Sequence, residues 1–104
     1  MNIEFKEWIW TRWNGELSVV TLHGTVDFFE PFCVGFGVTA LSELFGVQRQ
    51  PNRLREAFEE NRQFLEGIAK NWIRAGRLED DGNLFLTKED LLPHFEKRAA
   101  TAPV

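Results

Sequence analysis

The side chains in this sequence that commonly perform catalysis are Cys33, His23 and His94. A thiol becomes a nucleophile when a neighbouring base removes its proton, and histidine is the usual base. The two histidines lie far apart in the chain, and neither belongs to a recognisable catalytic motif. Cys33 lies in an apolar segment, where a cysteine usually behaves as a small buried side chain. Structural or surface roles are therefore favoured, and a small enzyme using Cys33 with a histidine is an alternative.

Metal and cofactor sites require clustered ligands or glycine-rich loops, and the sequence has neither. The acidic run at Glu79, Asp80 and Asp81 lacks the alternating oxygen ligands of a calcium loop. The glycines Gly35 and Gly37 are not followed by the further glycine and lysine of a phosphate-binding loop. We therefore predict a protein that is not an enzyme and that uses no metal and no cofactor.

A second kind of chemistry is recognition by aromatic rings next to cations. Two tryptophans and two basic residues alternate along the first segment of the chain, so on a strand they share one face: Lys6, Trp8, Trp10 and Arg12. With Val19 on the facing strand, they form the predicted partner-binding set. Such a face can bind a protein or splayed nucleic-acid bases. Alternatively, it is simply the core face beneath a helix.

Composition restricts the classes of protein to which this chain can belong. Its 104 residues fit one domain, and its 43% hydrophobic and 27% charged content is ordinary for a globular protein. The net charge of −4 weighs against non-specific binding to nucleic acid or to an anionic membrane. A single cysteine, no secretory signal and no apolar run long enough for a membrane span predict a cytoplasmic location. Ten Phe and four Trp need cover, either in a core or at a contact surface.

The elements that must position these residues begin with a β-hairpin over residues 1–23. Asn14 and Gly15 form the strongest short turn signal in the chain. A two-residue turn there places Trp10 opposite Val19, and by the same register Trp8 opposite Thr21 and Arg12 opposite Leu17. Both faces of this hairpin then carry apolar side chains, which a single helical layer cannot cover.

One long amphipathic helix is predicted over residues 51–76, between Pro51 and Gly76. Its apolar residues recur with helical spacing on one side. Asn61 lies within this stripe and needs a hydrogen-bond partner if it is buried. Gly67 interrupts the polar side, either because an exposed glycine is tolerated or because a partner approaches the backbone there.

The remaining segments complete an α+β domain. We expect a third extended stretch over residues 25–38 that includes Phe28 and Phe29, a short helix over 39–45 with Thr39 as its N-cap, and a last strand over 84–86. A final short helix over 94–100 and a flexible tail over 101–104 follow. The predicted architecture is a sheet of three or four antiparallel strands packed by the long helix and the short ones.

From the third strand onward, the sequence resembles a family of small bacterial domains catalogued as domain of unknown function fourteen eighty-eight. The matching positions lie over the C-terminal two-thirds of the chain: Cys33, Val34, Ala40, Leu41, Phe45, Gly46, Phe58, Asn61, Arg62, Glu66, Ala69, Ile73, Leu84, Leu86, Thr87, Asp90 and Leu91. The resemblance implies a compact antiparallel sheet packed by helices and a bacterial or phage source. It implies no reaction.

These observations favour a non-enzymatic cytoplasmic domain for protein interaction or regulation. An aromatic face that the chain cannot cover, or an exposed strand edge, would bind a protein partner or a second copy of the chain. An inhibitor of a host complex, encoded by a phage or plasmid, is one specific form of this function. A nucleic-acid-binding module that uses Trp8 and Trp10 with Lys6 and Arg12 is the less favoured alternative, and no membrane partner is expected.

Overall fold

A computed structural model describes residues 2–13 and 16–101 of the chain, with the side chains of 11–18, 100 and 101 outside the description. The predicted turn at Asn14 and Gly15 and the predicted tail beyond residue 101 lie outside the described residues. The elements are β1 (Ile3–Trp13), β2 (Glu16–Val26), β3 (Glu30–Gly37), α1 (Val38–Phe45), α2 (Pro51–Glu60), α3 (Arg62–Arg74), β4 (Asn83–Leu86) and α4 (Lys88–Thr101).

The four strands form one sheet in the order β1-β2-β3-β4, so the predicted α+β class is confirmed. The first three strands are antiparallel, as predicted, but β4 runs parallel to β3 and makes the sheet mixed. Three helices, α1 to α3, lie between β3 and β4 in the chain. A helical crossover of this kind returns the chain to the same end of the sheet, where the next strand pairs in parallel.

The register of β1 against β2 differs from the predicted one. Arg12 pairs with Leu17 as expected, but Trp10 pairs with Val20 and Trp8 with Leu22. The reason is a register shift between Thr11 and Arg12, where β2 carries one extra residue. A slip of one residue moves a side chain to the opposite face of the sheet. The tryptophans therefore share a face with Val20 and Leu22, and the predicted grouping with Val19 and Thr21 is wrong.

All four helices pack on that one face of the sheet. The buried strand residues have even numbers in β2 and β3, for example Val20, Leu22, Val34 and Phe36, and each of these four is fully buried. They form one cluster with apolar side chains from all four helices: Val38, Leu41, Leu54, Phe58, Leu65, Ile68, Ala69, Ile73 and Leu91. Among the described residues, the helices therefore cover one side of the sheet only.

The predicted long helix is two helices, α2 and α3, separated by Asn61. At Asn61 the backbone leaves helical geometry, with φ −112° and ψ 17°, so a single helix over residues 51–76 is wrong. The Asn61 side-chain amide donates to the carbonyl oxygen of Ala57 at 2.7 Å. This bond provides the partner that a polar residue in the apolar stripe requires. Asparagine competes for backbone hydrogen bonds in this way, which explains the interruption.

The helix ends follow local sequence signals, but the starts of two helices differ from the predicted ones. Gly46, which directly follows α1, and Gly76, the second residue after α3, adopt positive φ (67° and 74°), as glycines that end helices commonly do. However, α1 begins after Gly37, and Thr39 is not its N-cap. The last helix begins at Lys88 rather than at residue 94, and Pro93 lies inside it.

The early start of α4 has a local cause in the capping pair Thr87 and Asp90. The Asp90 backbone N–H donates to Thr87 Oγ1 at 3.3 Å, and the Thr87 backbone N–H donates to Asp90 Oδ2 at 2.9 Å. These reciprocal bonds satisfy free N–H groups at the helix start, as in a capping box. The capping box therefore begins α4 at Lys88, five residues before Pro93.

The predicted third extended stretch is interrupted by a turn. Phe28 and Phe29 do not lie in a strand: β2 ends at Val26, β3 begins at Glu30, and residues 27–29 connect them. Both Asp27 and Phe28 have positive φ, 52° and 70°. Aromatic residues favour strands, but here the pairing of Val26 with Glu30 leaves the two rings outside the sheet.

Candidate functional site

Trp8 and Trp10 lie beneath the helices, as the core interpretation of this face predicts. The ring centroids of Trp8 and Phe58 are 3.7 Å apart with an interplanar angle of 88°, and those of Trp10 and Phe58 are 5.2 Å apart. Both tryptophans are half-buried and pack against the core. Edge-to-face contacts of this kind stabilise a core beyond simple burial of area.

The cations beside these rings come from the helices and not from the neighbouring strand positions. The guanidinium of Arg55 lies 5.4 Å from the Trp10 ring centroid, and that of Arg62 lies 5.9 Å from the Trp8 ring centroid. Cation–π contacts at this distance contribute about 0.5–1 kcal/mol at exposed sites. The two indoles are thus part of the packing between sheet and helices, and a partner-binding role for them stays a prediction.

The other three members of the predicted partner-binding set are not brought together with the tryptophans. Lys6 is exposed at the second register shift of β1, between Phe5 and Glu7. Arg12 pairs with Leu17, and its side chain lies outside the described part of the structure. Val19 is half-buried on the opposite face of the sheet.

That opposite face carries no helix in the part of the chain that the structure describes. We call it the uncovered face and define it by side chains that are absent from the core cluster: Glu7, Ile9, Val19, Thr21, His23, Cys33, Asn83 and Phe85. Ile9 is 41% and Phe85 55% exposed. Large apolar side chains in solvent on one sheet face indicate a contact surface when they are contiguous.

The two glycines of β3 provide the floor beneath Phe85. A Cβ at Gly35 would come within 3.1 Å of the Phe85 ring, and one at Gly37 within 3.6 Å. The ring therefore lies across β3, with the Val19 side chain on the other side of Gly35. The small size of these glycines is what lets an exposed aromatic ring lie on the sheet.

A polar cluster lies in the middle of the uncovered face. His23 and Cys33 are directly opposite each other on β2 and β3, and His23 Nε2 lies 3.7 Å from Cys33 Sγ. The same nitrogen lies 3.0 Å from Thr21 Oγ1, which also contacts the carbonyl oxygen of Ile9 at 3.3 Å. In the arrangement that satisfies both contacts, Thr21 donates to Ile9 and accepts from His23. Nε2 then carries the imidazole proton and is not a base towards the thiol.

The environment of Cys33 favours the neutral thiol. Burial raises the pKa of this thiol, and the nearby Thr21 hydroxyl only partly opposes that effect. A catalytic cysteine requires the opposite shift, because the thiolate is the nucleophile. Within the described residues, no group of three His, Cys, Asp or Glu side chains is arranged to hold a metal ion. The cluster is best described as a hydrogen-bonded patch in the middle of the uncovered face.

His94 lies elsewhere. It contributes to a cleft between α3 and α4 that is also lined by Phe64, Gly67, Asn71 and Arg98. The structure thus brings His23 and Cys33 together but leaves His94 on the helical side of the sheet. Sequence reasoning could not find the His23–Cys33 pair, because it depends on which residues of β2 and β3 face each other.

The geometry defines a class: a small α+β domain whose helices roof one side of a four-stranded sheet. Within this class, the chain belongs to the family described as Protein of unknown function (DUF1488), which matches residues 3–86. The matched region includes the tryptophan-rich hairpin and ends at β4, so it is not restricted to the C-terminal two-thirds of the chain. Comparisons with curated proteins and with solved structures found no match. Of the helices described, none combines the length and apolar character required to cross a bilayer.

Proposed function

We propose that this chain is a non-enzymatic protein-interaction domain that binds a second copy of itself through the uncovered face. The observation that supports this proposal is the exposure of Ile9 and Phe85 on a sheet face without a helix. In antiparallel sheets with one solvated face, that face is normally polar. Here it presents Ile9, Val19 and Phe85, and the fold provides cover only for the other side.

The charge of this face suits a copy of itself as the partner. Glu7 is the one carboxylate among the side chains that define it and His23 the one titratable nitrogen, and the exposed Glu4 lies on the same side of β1 at the end of the face. In a two-fold symmetric dimer the same patch meets itself, so a charged patch would repel its copy. Most of the 16 acidic side chains of the chain lie outside this face. A face with few charges on an acidic protein therefore favours self-association.

The size of the face is adequate for a dimer. Its strands contain 11, 11, 8 and 4 residues. At about 3.3 Å per residue and about 4.8 Å between strands, they outline about 500 Å² in projection. The relief of the side chains adds to this area. A standard interface buries about 800 Å² on each partner, more than this projection, so a dimer would use the whole face and belong to the small, weak class.

The competing functions receive less support from the geometry. The Trp8 and Trp10 rings contact Phe58 and lie beneath Arg62 and Arg55, an arrangement that favours packing over base stacking. A small enzyme would need a thiolate at Cys33, whose pKa is shifted in the wrong direction. A regulatory role in the cytoplasm, including inhibition of a host complex by a phage or plasmid product, stays a prediction.

Sedimentation equilibrium at protein concentrations between about 1 and 100 μM tests the proposal, since this range brackets the affinity of most weak dimers. We expect the wild type to dimerise and both Ile9→Lys and Phe85→Glu to sediment as monomers with unchanged circular dichroism. The control is Phe29→Glu, an exposed phenylalanine outside the uncovered face, which should dimerise like the wild type. A wild type that is monomeric throughout this range would contradict the proposal.

A further inference from the structure

The most exposed aromatic side chains of the described chain lie at the turn between β2 and β3. Phe28 is 68% and Phe29 87% exposed. We call Asp27, Phe28 and Phe29 the diphenylalanine turn. Phe28 has a φ of 70°, a conformation that side chains other than those of Gly, Asn and Asp rarely adopt. The chain thus places a bulky ring where the backbone disfavours it and where water surrounds it.

The turn is tied to the sheet by hydrogen bonds. The Asp27 backbone N–H donates to the carbonyl oxygen of Asn2 at 2.7 Å, and the Asn2 N–H donates to Asp27 Oδ1 at 2.7 Å. The Phe29 N–H donates to the carbonyl oxygen of Val26 at 3.2 Å. The two rings are therefore presented from an anchored turn at the tip of a hairpin.

The fold gains no packing from these two rings. Neither Phe28 nor Phe29 belongs to the core cluster or to the side chains packed against it. A strained backbone conformation that contributes no packing is an indication of function. The indicated function is contact with another molecule, because a pair of exposed phenyl rings is an apolar surface that a binding partner could bury.

An acidic cleft lies beside the turn. It is lined by the buried Val26, by Pro31 and by the half-buried Leu78, together with the exposed carboxylates of Glu30 and of residues 79–81. Carboxylates are the only charged groups among these lining residues. The loop at 79–82 is held against β3, since the Cys33 N–H donates to the carbonyl oxygen of Gly82 at 2.9 Å.

We propose that the diphenylalanine turn and the acidic cleft together bind a basic amphipathic segment of a partner protein. The phenyl rings, Val26 and Leu78 would contact its apolar side chains, and the carboxylates would face its lysines and arginines. Basic amphipathic helices are recognised by this combination of apolar anchors and an acidic rim. The same carboxylates oppose insertion into an anionic bilayer, which attracts cations. This surface is distinct from the uncovered face, so the inference does not depend on self-association.

The test uses two labelled synthetic peptides of equal length, one composed of Leu and Lys in amphipathic helical order and one of Leu and Glu. Fluorescence anisotropy should show that the full chain binds the Leu–Lys peptide and not the Leu–Glu peptide. The double variant Phe28→Gly/Phe29→Ser should bind at least about tenfold more weakly, as expected for loss of two aromatic anchors. Binding of both peptides with equal affinity, or no effect of the double variant, would overturn the proposal.

Charge and surface controls separate this site from others. Glu30→Lys/Asp80→Lys should weaken binding at least about fivefold and remove most of its salt dependence. Glu59→Lys/Glu60→Lys changes the net charge equally on the exposed side of α2 and should bind like the wild type. Phe85→Glu, which tests the uncovered face, should also bind like the wild type. Wild-type binding to phosphatidylcholine vesicles that the Phe28→Gly/Phe29→Ser variant loses would overturn the proposal in favour of a lipid surface.

Discussion

At the scale of single residues, two polar groups lie buried without a hydrogen-bond partner among the described residues: the indole Nε1 of Trp8 and the hydroxyl of Thr25. A buried donor without a partner costs about 1–3 kcal/mol of stability. Trp8 nevertheless makes a close ring contact with Phe58. The ring of Trp8 thus stabilises the fold while its polar group opposes it, and the two effects can be separated by substitution.

Trp8→Phe should change the free energy of unfolding by no more than about 1 kcal/mol, because the lost ring area is offset by removal of the unpaired N–H. Trp8→Ala removes the ring as well. It should lower the free energy of unfolding by about 2–4 kcal/mol, somewhat less than for a fully buried aromatic residue. Urea denaturation of both variants measures this difference. A Trp8→Phe variant as unstable as Trp8→Ala would show that Nε1 has a partner.

The raised pKa of Cys33 predicts how the stability of the protein depends on pH. Because burial raises the pKa of the folded thiol above its unfolded value, the folded state holds this proton more tightly. The associated stability is fully present below the unfolded pKa of about 8.5 and is lost as the pH rises through the folded pKa. The wild type should therefore lose stability more steeply than Cys33→Ala as the pH rises above about 8.5. Parallel denaturation curves for the two proteins across this range would contradict the prediction.

At the scale of elements, the turn of the β2–β3 hairpin and the interruption between α2 and α3 each lower the stability of the fold locally. Phe28 occupies a positive-φ position in the turn, and Asn61 interrupts the helix at the centre of its apolar stripe. The bond from the Asn61 amide to Ala57 offsets part of the second cost. The Phe28 ring does not join the core cluster, so core packing does not offset the first cost, which is why the turn carries the proposal for a partner.

Phe28→Gly should raise the free energy of unfolding by about 0.5–1 kcal/mol, since glycine adopts positive φ without a steric penalty. Phe29→Ser at the neighbouring exposed position should change it by less than about 0.5 kcal/mol. Thermal denaturation followed by circular dichroism measures both. A loss of stability in Phe28→Gly would mean that the ring packs on the fold.

Gly67 inside α3 and Gly46 at the end of α1 form a matched pair for a second prediction at this scale. Gly67 lies inside α3, and a Cβ there would meet nothing within 4 Å, so Gly67→Ala should stabilise the protein by about 0.5–1 kcal/mol. Gly46 also has free space, but its φ of 67° disfavours alanine, so Gly46→Ala should destabilise it by about 1 kcal/mol. Urea denaturation distinguishes the two signs. Destabilisation by Gly67→Ala would indicate a close approach to that backbone.

At the scale of the whole molecule, the core depends on a helix beyond the family match. The match ends at residue 86, whereas α4 begins at Lys88. Leu91 of α4 is fully buried, and the Phe95 ring centroid lies 5.1 Å from that of Phe45 and 5.0 Å from that of Phe64. The helix therefore closes one end of the layer formed by α1 and α3.

A chain that ends at residue 86 should fail to fold, because uncovering this region removes a large part of a total stability of about 5–15 kcal/mol. Within the full chain, Leu91→Ala should cost about 2–5 kcal/mol. The adjacent Leu92→Ala, at a position that is 38% exposed, should cost about 1 kcal/mol or less. Circular dichroism and denaturation test all three. A cooperatively folded 1–86 fragment would contradict this role of α4.

Much of this architecture follows from local signals. The hairpin, the helix stops at Gly46 and Gly76, and the pairing of Thr87 with Asp90 depend on residues close in sequence. Such features are encoded by backbone preference and capping, which act over a few residues. The start of α4 is also local, because the capping box of Thr87 and Asp90 begins this helix before Pro93.

The sequence by itself thus determined the α+β class, the approximate positions of most helices and strands, and the large number of aromatic rings that need cover. Tertiary structure alone decided which face is covered, because one extra residue in β2 moved Trp8 and Trp10 beneath the helices. The alternation of side chains along a strand is compatible with helices on either face of the sheet. Only the packing of the tryptophans against Phe58 decides which face is covered. The same long-range pairing brought His23 to Cys33 and left Phe28 and Phe29 in solvent.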